Sequence, residues 1–69
     1  MSNPTHIVED SANTLWAVWP TGDASLAHVW FGYRVKKAKG GFVPVAKPRQ
    51  TLVRRDAARV IATLNGTYP

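Results

Sequence analysis

The longest alternating stretch of the sequence reads Ala27-His28-Val29-Trp30-Phe31-Gly32-Tyr33-Arg34-Val35-Lys36-Lys37. Successive side chains of a β-strand point to opposite faces of a sheet. One face would carry the apolar residues Val29, Phe31, Tyr33 and Val35, and the other face would carry His28, Trp30, Gly32, Arg34 and Lys36. This period of two predicts a long central strand.

The segments on either side of this strand predict two antiparallel neighbours. Residues 14–19 are rich in β-forming side chains and end at a turn cluster over residues 20–23, although the same run also fits a short helix. Residues 37–41 indicate a hairpin loop, and residues 42–46 return as a strand. Pro44 lacks an amide hydrogen, so we expect this strand at a sheet edge. Residues 1–12 are expected to be irregular.

Near the C-terminus the spacing of apolar residues changes from a period of two to a helical period and predicts a helix. Residues at helical spacing form one apolar face, namely Val53, Ala57, Val60, Ile61 and Leu64. Thr51 is a candidate N-cap, and Asn65-Gly66 is a typical C-terminal stop. The predicted fold class is therefore α+β: a single small domain over residues 1–69, in which a three-stranded antiparallel meander carries one C-terminal helix on one face.

Charge is distributed unevenly along the chain. Residues 1–33 contain three acidic and no basic residues, whereas all nine basic residues lie between Arg34 and Arg59 beside a single acid, Asp56. The net charge of the whole chain is +5. This asymmetry favours a basic surface for phosphates or for an acidic protein, and a merely solvated surface is the alternative.

Two sets of residues are candidates for binding. The predicted nucleic-acid-binding residues are Trp30, Arg34, Lys36, Lys37, Lys39, Arg54, Arg55 and Arg59. Lysine and arginine pair with phosphates, and tryptophan can stack on a base. Three tryptophans are also more than one short helix can cover. Either the N-terminal segment folds over the second face of the sheet, or that face forms a partner interface or a homodimer through Trp16, Trp19 and Trp30.

The sequence offers little for catalysis. A chain of 69 residues builds a small core, which argues against a deep substrate pocket. It has no cysteine, two isolated histidines and four scattered acids, so we expect no catalytic residues, no metal site and no cofactor. The N-terminal residues do not resemble a secretory signal, and the longest apolar run is far too short to span a bilayer, so a cytoplasmic protein is expected.

The order of predicted elements carries a resemblance. Three strands and a helix containing Ala57-Ala58-Arg59-Val60-Ile61-Ala62, followed by Leu64-Asn65-Gly66, resemble small accessory proteins of phages and plasmids. Residues 27–65 also resemble the three-stranded-sheet DNA-binding domains of the AP2 type and of integrase arm-binding domains. In those domains a basic, aromatic-bearing sheet faces DNA and a C-terminal helix supports it. The resemblance implies that Trp30, Arg34 and Lys36 face DNA.

These patterns together favour a small basic non-enzymatic binding protein. Nucleic acid is the leading partner, and a phage or mobile-element origin is expected. One alternative is an inhibitor or adaptor that docks on an acidic surface of a host enzyme or defence complex. Another is a structural homodimer.

Overall fold

The computed structural model describes residues 4–63 and contains six antiparallel strands within them. In chain order these are β1 (His6–Glu9), β2 (Leu15–Pro20), β3 (Val29–Ala38), β4 (Gly41–Pro44), β5 (Thr51–Arg54) and β6 (Arg59–Thr63). A single 3-10 turn, Ala24–Leu26, lies between β2 and β3. The strand order is β4-β3-β2-β1-β6, and β5 pairs with the half of β3 that β4 does not cover.

The central position of β3 is confirmed. Its ten residues pair with β2 along one edge, where Trp16 lies opposite Arg34 and Pro20 lies opposite Trp30. Along the other edge, β5 pairs with residues 29–32 and β4 pairs with residues 35–38. The hairpin between β3 and β4 is confirmed as well, and Gly40 has the positive φ of 87° that its two-residue turn requires.

The sheet buries apolar side chains on both faces. On the first face Val8, Val18, Trp30 and Val53 form a cluster, with Trp16 and Ala58 packed against it. On the opposite face Ile7, Ala17 and Val35 form a second cluster, with Leu15, Tyr33 and Phe42 packed against it. We call these the Trp30 face and the Val35 face. The alternation of β3 is therefore real, but its Trp30 side is not a uniformly polar, solvated surface.

The predicted α+β fold, a three-stranded sheet with a C-terminal helix, is wrong. Residues 51–63 form β5, a turn and β6, and no α-helix occurs within residues 4–63. The proposed apolar helix face is not buried as a unit, because Val53 lies in the core while Val60 and Ile61 keep 51% and 45% of their surface exposed.

Backbone pairing explains why strands form here instead of a helix. The first half of β3 and the outer edge of β1 would otherwise present unpaired N–H and C=O groups, and β5 and β6 satisfy them. A helix of about 12 residues is marginal in water without such tertiary support. The predicted N-cap Thr51 begins β5, and the predicted stop at Asn65-Gly66 lies outside the described residues.

The N-terminal segment is more ordered than expected. Residues 6–9 form β1, which pairs with β2 on one side and β6 on the other. Ile7 and Val8 are fully buried, one on each face of the sheet. β1 is therefore an interior strand that contributes to both clusters. Among residues 4–63 no helix has the length and apolar character needed to cross a bilayer.

Gly32 lies where the pairing of β3 passes from β5 toward β4, and its lack of a side chain allows close contact there. A Cβ atom at this position would lie 2.6 Å from Val18 Cγ1 and 2.8 Å from the Ala17 carbonyl oxygen. Both distances are below van der Waals contact, and the second involves backbone, which cannot rotate away. β2 and β3 can therefore keep this register only with glycine at position 32.

We predict that Gly32→Ala destabilises the protein. Overpacking of this kind costs roughly 1–3 kcal/mol in the free energy of unfolding. For a domain of this size that corresponds to a fall in Tm of about 5–20 °C, measurable by circular dichroism. Lys36→Ala, an exposed position on the same strand, is the control and should change Tm little. Equal Tm values for the two variants would contradict the close approach at Gly32.

Candidate functional site

A groove on the Trp30 face is the candidate site. Trp16 of β2 and Arg34 of β3, which are direct cross-strand partners, both line it. Its volume is about 390 Å³, and its lining residues are Trp16, Arg34, Val45, Ala46, Lys47, Arg49 and Thr51. We call it the Trp16 groove. One wall is the cross-strand pair, and the other is the connection between β4 and β5.

The path of that connection follows from local backbone geometry. Val45 follows the last residue of β4, and its N–H still donates to the carbonyl oxygen of Arg34 at 3.2 Å. Lys47 then adopts a positive φ of 56°, which is uncommon for a residue other than glycine. The chain reaches Thr51, which pairs with Gly32 as β5 begins. The connection is thereby held beside Arg34, with Lys47 and Arg49 exposed at the groove.

Asp10 fixes the position of Trp16. The indole Nε1–H of Trp16 donates to Asp10 Oδ2 at 2.9 Å. The other carboxylate oxygen, Oδ1, accepts from the backbone N–H groups of Ala12 and Thr14, each at 2.9 Å. Asp10 thus ties the β1–β2 turn to the tryptophan. The hydrogen bond from Trp16 lowers the pKa of Asp10 below its ordinary value of 3.8, and the bond from Thr14 and the positive charge of Arg34 act in the same direction.

All the charged side chains that line the groove are positive. Arg34, Lys47 and Arg49 line it, and none of its lining residues is acidic. Within residues 4–63 these three side chains make no ion pair and no hydrogen bond, and all are exposed. Such a site attracts anions, and its cations need not break internal contacts in order to bind them.

Lysines of the β3–β4 hairpin extend the positive surface beyond the groove. Lys36 follows Arg34 on the same face of β3, about 7 Å further along the strand. Lys37 lies on the opposite face, and Lys39 is in the hairpin turn. All three are exposed and make no ion pair in the described part of the chain.

The three remaining basic residues already have partners. Arg54 pairs with Asp56 at 3.1 Å, and Arg59 pairs with Glu9 at 2.6 Å. Arg55 donates to the carbonyl oxygen of Ala27 at 2.9 Å, and its guanidinium carbon lies 5.1 Å from the centre of the Trp30 ring. The structure therefore separates these arginines from the six basic side chains that make no such contacts to the rest of the described chain.

The tryptophans do not form one patch. Trp19 is buried on the Val35 face, where its ring lies 6.0 Å from that of Tyr33 and 6.2 Å from that of Phe31. Trp30 is 6% exposed; its ring is stacked on His6 with 6.0 Å between ring centroids, and the Arg55 guanidinium also lies over it. Trp16 is the one tryptophan that is only half-buried. The partner interface predicted for all three stays a prediction.

The structure thus brings together part of the predicted set and adds residues that the sequence did not single out. Arg34 and Lys36 share the groove side of β3, whereas Trp30, on the same face of the strand, is buried in the core and does not line the groove. Lys47, Arg49 and Thr51 of the groove were not among the predicted site residues, and Asp10 was not recognised as the partner of Trp16. The position of Lys47 and Arg49 inside the basic segment was the only available signal.

No protein-family model, curated protein or solved structure matches this chain. Residues 4–63 also contain no group of three or more histidine, aspartate or glutamate side chains that could hold a metal ion.

We predict that the Trp16 indole proton reports the titration of Asp10. The pKa of this carboxyl is lower in the folded protein than its ordinary value of 3.8. Its contribution to stability is therefore fully present above pH 3.8 and is lost as the pH falls through the pKa of the folded state. In NMR spectra, the Trp16 Nε1–H resonance should shift over this acidic range, while those of Trp19 and Trp30 should shift less. Asp10→Asn should abolish the dependence, and Asp23→Asn, a carboxyl with no contact to Trp16, should preserve it. A Trp16 resonance that does not respond to pH would refute the Asp10 contact.

Proposed function

We propose that the protein is a small non-enzymatic nucleic-acid-binding protein and that the Trp16 groove, with Lys36 beside it, is its binding surface. The observation that carries the proposal is the division of the basic residues. Within residues 4–63, six of the nine make no ion pair or hydrogen bond, and these lie on β3, its hairpin and the β4–β5 connection. Three of the six, Arg34, Lys47 and Arg49, line the groove, which has an aromatic residue and no carboxylate among its lining residues.

Charge pairing explains why this surface, and not the β5–β6 turn, is the better candidate. A phosphate that approached Arg54 or Arg59 would compete with Asp56 or Glu9 for the guanidinium. At Arg34, Lys47 and Arg49 a phosphate displaces only water and counterions. Release of counterions from the nucleic acid supplies much of the free energy of such contacts.

The geometry also favours a chain-like polyanion over a single small anion. Arg34 and Lys36 are about two strand residues apart on one face, and Lys47 and Arg49 lie on the facing connection. Several phosphates joined in one backbone could engage these cations together.

A cytoplasmic location, expected from the sequence, belongs to the same proposal, as does an origin in a phage or another mobile element.

The test compares two double variants that remove equal charge. Lys47→Gln/Arg49→Gln removes two groove cations, and Arg54→Gln/Arg59→Gln removes two cations that are already paired. Binding of labelled DNA and RNA oligonucleotides should be measured by fluorescence anisotropy over a range of salt concentrations. We expect the groove variant to weaken binding and to reduce the slope of log K against log salt by about 0.7–0.9 for each phosphate that the variant no longer neutralises.

The control variant should retain the wild-type salt slope. Equal weakening in the two variants would show that only overall charge matters and would remove the groove from the proposal. Absence of binding to every oligonucleotide at low salt, where phosphate contacts are strongest, would refute nucleic-acid binding. The basic surface would then belong to the alternative partner, an acidic protein.

A further inference from the structure

The ring of Trp16 is the one large aromatic surface in the groove, and its polar edge is already occupied. Its Nε1–H donates to Asp10, so the indole has no free hydrogen-bond donor for a ligand. What remains accessible is ring surface, since Trp16 is half-buried and lines the groove. An indole surface held in this way binds another flat ring by stacking, and nucleobases all offer such a ring.

The arrangement of charge around Trp16 matches a nucleotide. Arg34 lies directly across the strand pair from the tryptophan, and Lys47 and Arg49 line the facing wall. A base on the indole would therefore have cations on two sides, where its own sugar-phosphate backbone would run. The volume of about 390 Å³ lies at the lower end of the range for small-molecule sites, which suits one nucleotide unit.

A base in a duplex cannot use this groove. Its ring faces are covered by its neighbours in the stack, and a duplex exposes only base edges in its grooves. The indole could be reached only by a base that is unstacked and unpaired. Single-stranded nucleic acid presents such bases without the cost of flipping one out of a helix.

We infer that the Trp16 groove recognises single-stranded nucleic acid, with one unpaired base stacked on Trp16 and the flanking phosphates held by Arg34, Lys47 and Arg49. This inference rests on the proposed function and specifies its substrate class. Preference for a particular base is weak, because the polar edge of the indole is bound to Asp10 and stacking accepts every base. The hairpin lysines Lys36 and Lys39 extend the phosphate track beyond the groove.

Three probes of equal length separate stacking from charge. They are a labelled oligodeoxythymidine of about twelve nucleotides, a length within the usual single-strand site sizes, its duplex with oligodeoxyadenosine, and an abasic strand that keeps every phosphate and lacks the bases. We expect the single strand to bind more tightly than both the duplex and the abasic strand. The abasic strand should still bind through its phosphates, and its affinity should fall with salt.

Variants at position 16 assign the difference to the indole. Trp16→Leu should weaken binding of the thymidine strand by about 5- to 150-fold, the range found for removal of a stacking aromatic residue. It should leave the abasic strand unaffected, while Trp16→Phe should restore most of the lost affinity. Because Trp16 also packs against the core, melting curves of both variants are required. If Trp16→Leu does not fold, the comparison of the probes on the wild-type protein still decides.

The outcomes distinguish the two proposals. If the duplex binds as tightly as the single strand, or if the abasic strand matches the thymidine strand, stacking on Trp16 is refuted while nucleic-acid binding stands. A duplex preference that disappears in Lys37→Gln/Lys39→Gln would locate binding at the hairpin instead. If none of the probes binds at low salt, the proposed function itself fails.

Discussion

The ten residues of β3 must be hydrogen-bonded along both edges, and the second edge is shared between two strands. β5 pairs with residues 29–32, and β4 pairs with residues 35–38. Because β4 and β5 are consecutive in the chain, their connection has to cross beside residues 33 and 34. This crossing puts Lys47 and Arg49 next to Arg34 and opposite Trp16. The candidate site is therefore a consequence of how the sheet satisfies its central strand.

Around the β4–β5 connection the buried apolar side chains and the exposed basic side chains occupy different places. Further along β3, Gly32 lets β2 and β3 approach closely, while Trp30 and Val53 fill the core on the same face. At the groove, the cations stay in solvent and have no acidic neighbours among the lining residues. Asp10, the carboxylate closest in the sequence to Trp16, is occupied by three hydrogen bonds. Asp10 holds the tryptophan of the groove in place and is not among the groove's lining residues, while its charge still interacts with that of Arg34.

The sequence predicted the part of the fold that follows from local alternation. β3 was predicted from its alternation, β2 from its β-forming residues, and β4 from the glycine hairpin that precedes it. β5 and β6 were missed because Val53, Val60 and Ile61 also fit a helical period. The pairing of β1 with β6 also shifts register between Ile7 and Val8, which disrupts the alternation of side chains along β6. The choice between helix and strand depended on unpaired edges of β1 and β3, which are distant in the sequence.

The candidate site, like the fold, could be predicted from the sequence only in part. The basic segment and the position of Arg34 and Lys36 on one face of a strand were readable from spacing. The sequence did not show which basic residues have acidic partners, because a pair such as Arg59–Glu9 joins residues 50 positions apart. Burial of Trp30 and exposure of Trp16 also depend on cross-strand neighbours. Fold and site share this limit: local patterns predict strands, and long-range pairing decides which side chains remain available.

An NMR titration of the labelled protein with a short single-stranded oligonucleotide locates the binding surface residue by residue. The largest shifts should be found at Arg34, at the backbone amides of residues 45–47 and 49–51 and at the Trp16 indole. Residues of the β5–β6 turn and the Val35 face should change little. Shifts concentrated at Arg54, Arg55 and Arg59, with the Trp16 indole unmoved, would contradict the assignment of binding to the Trp16 groove.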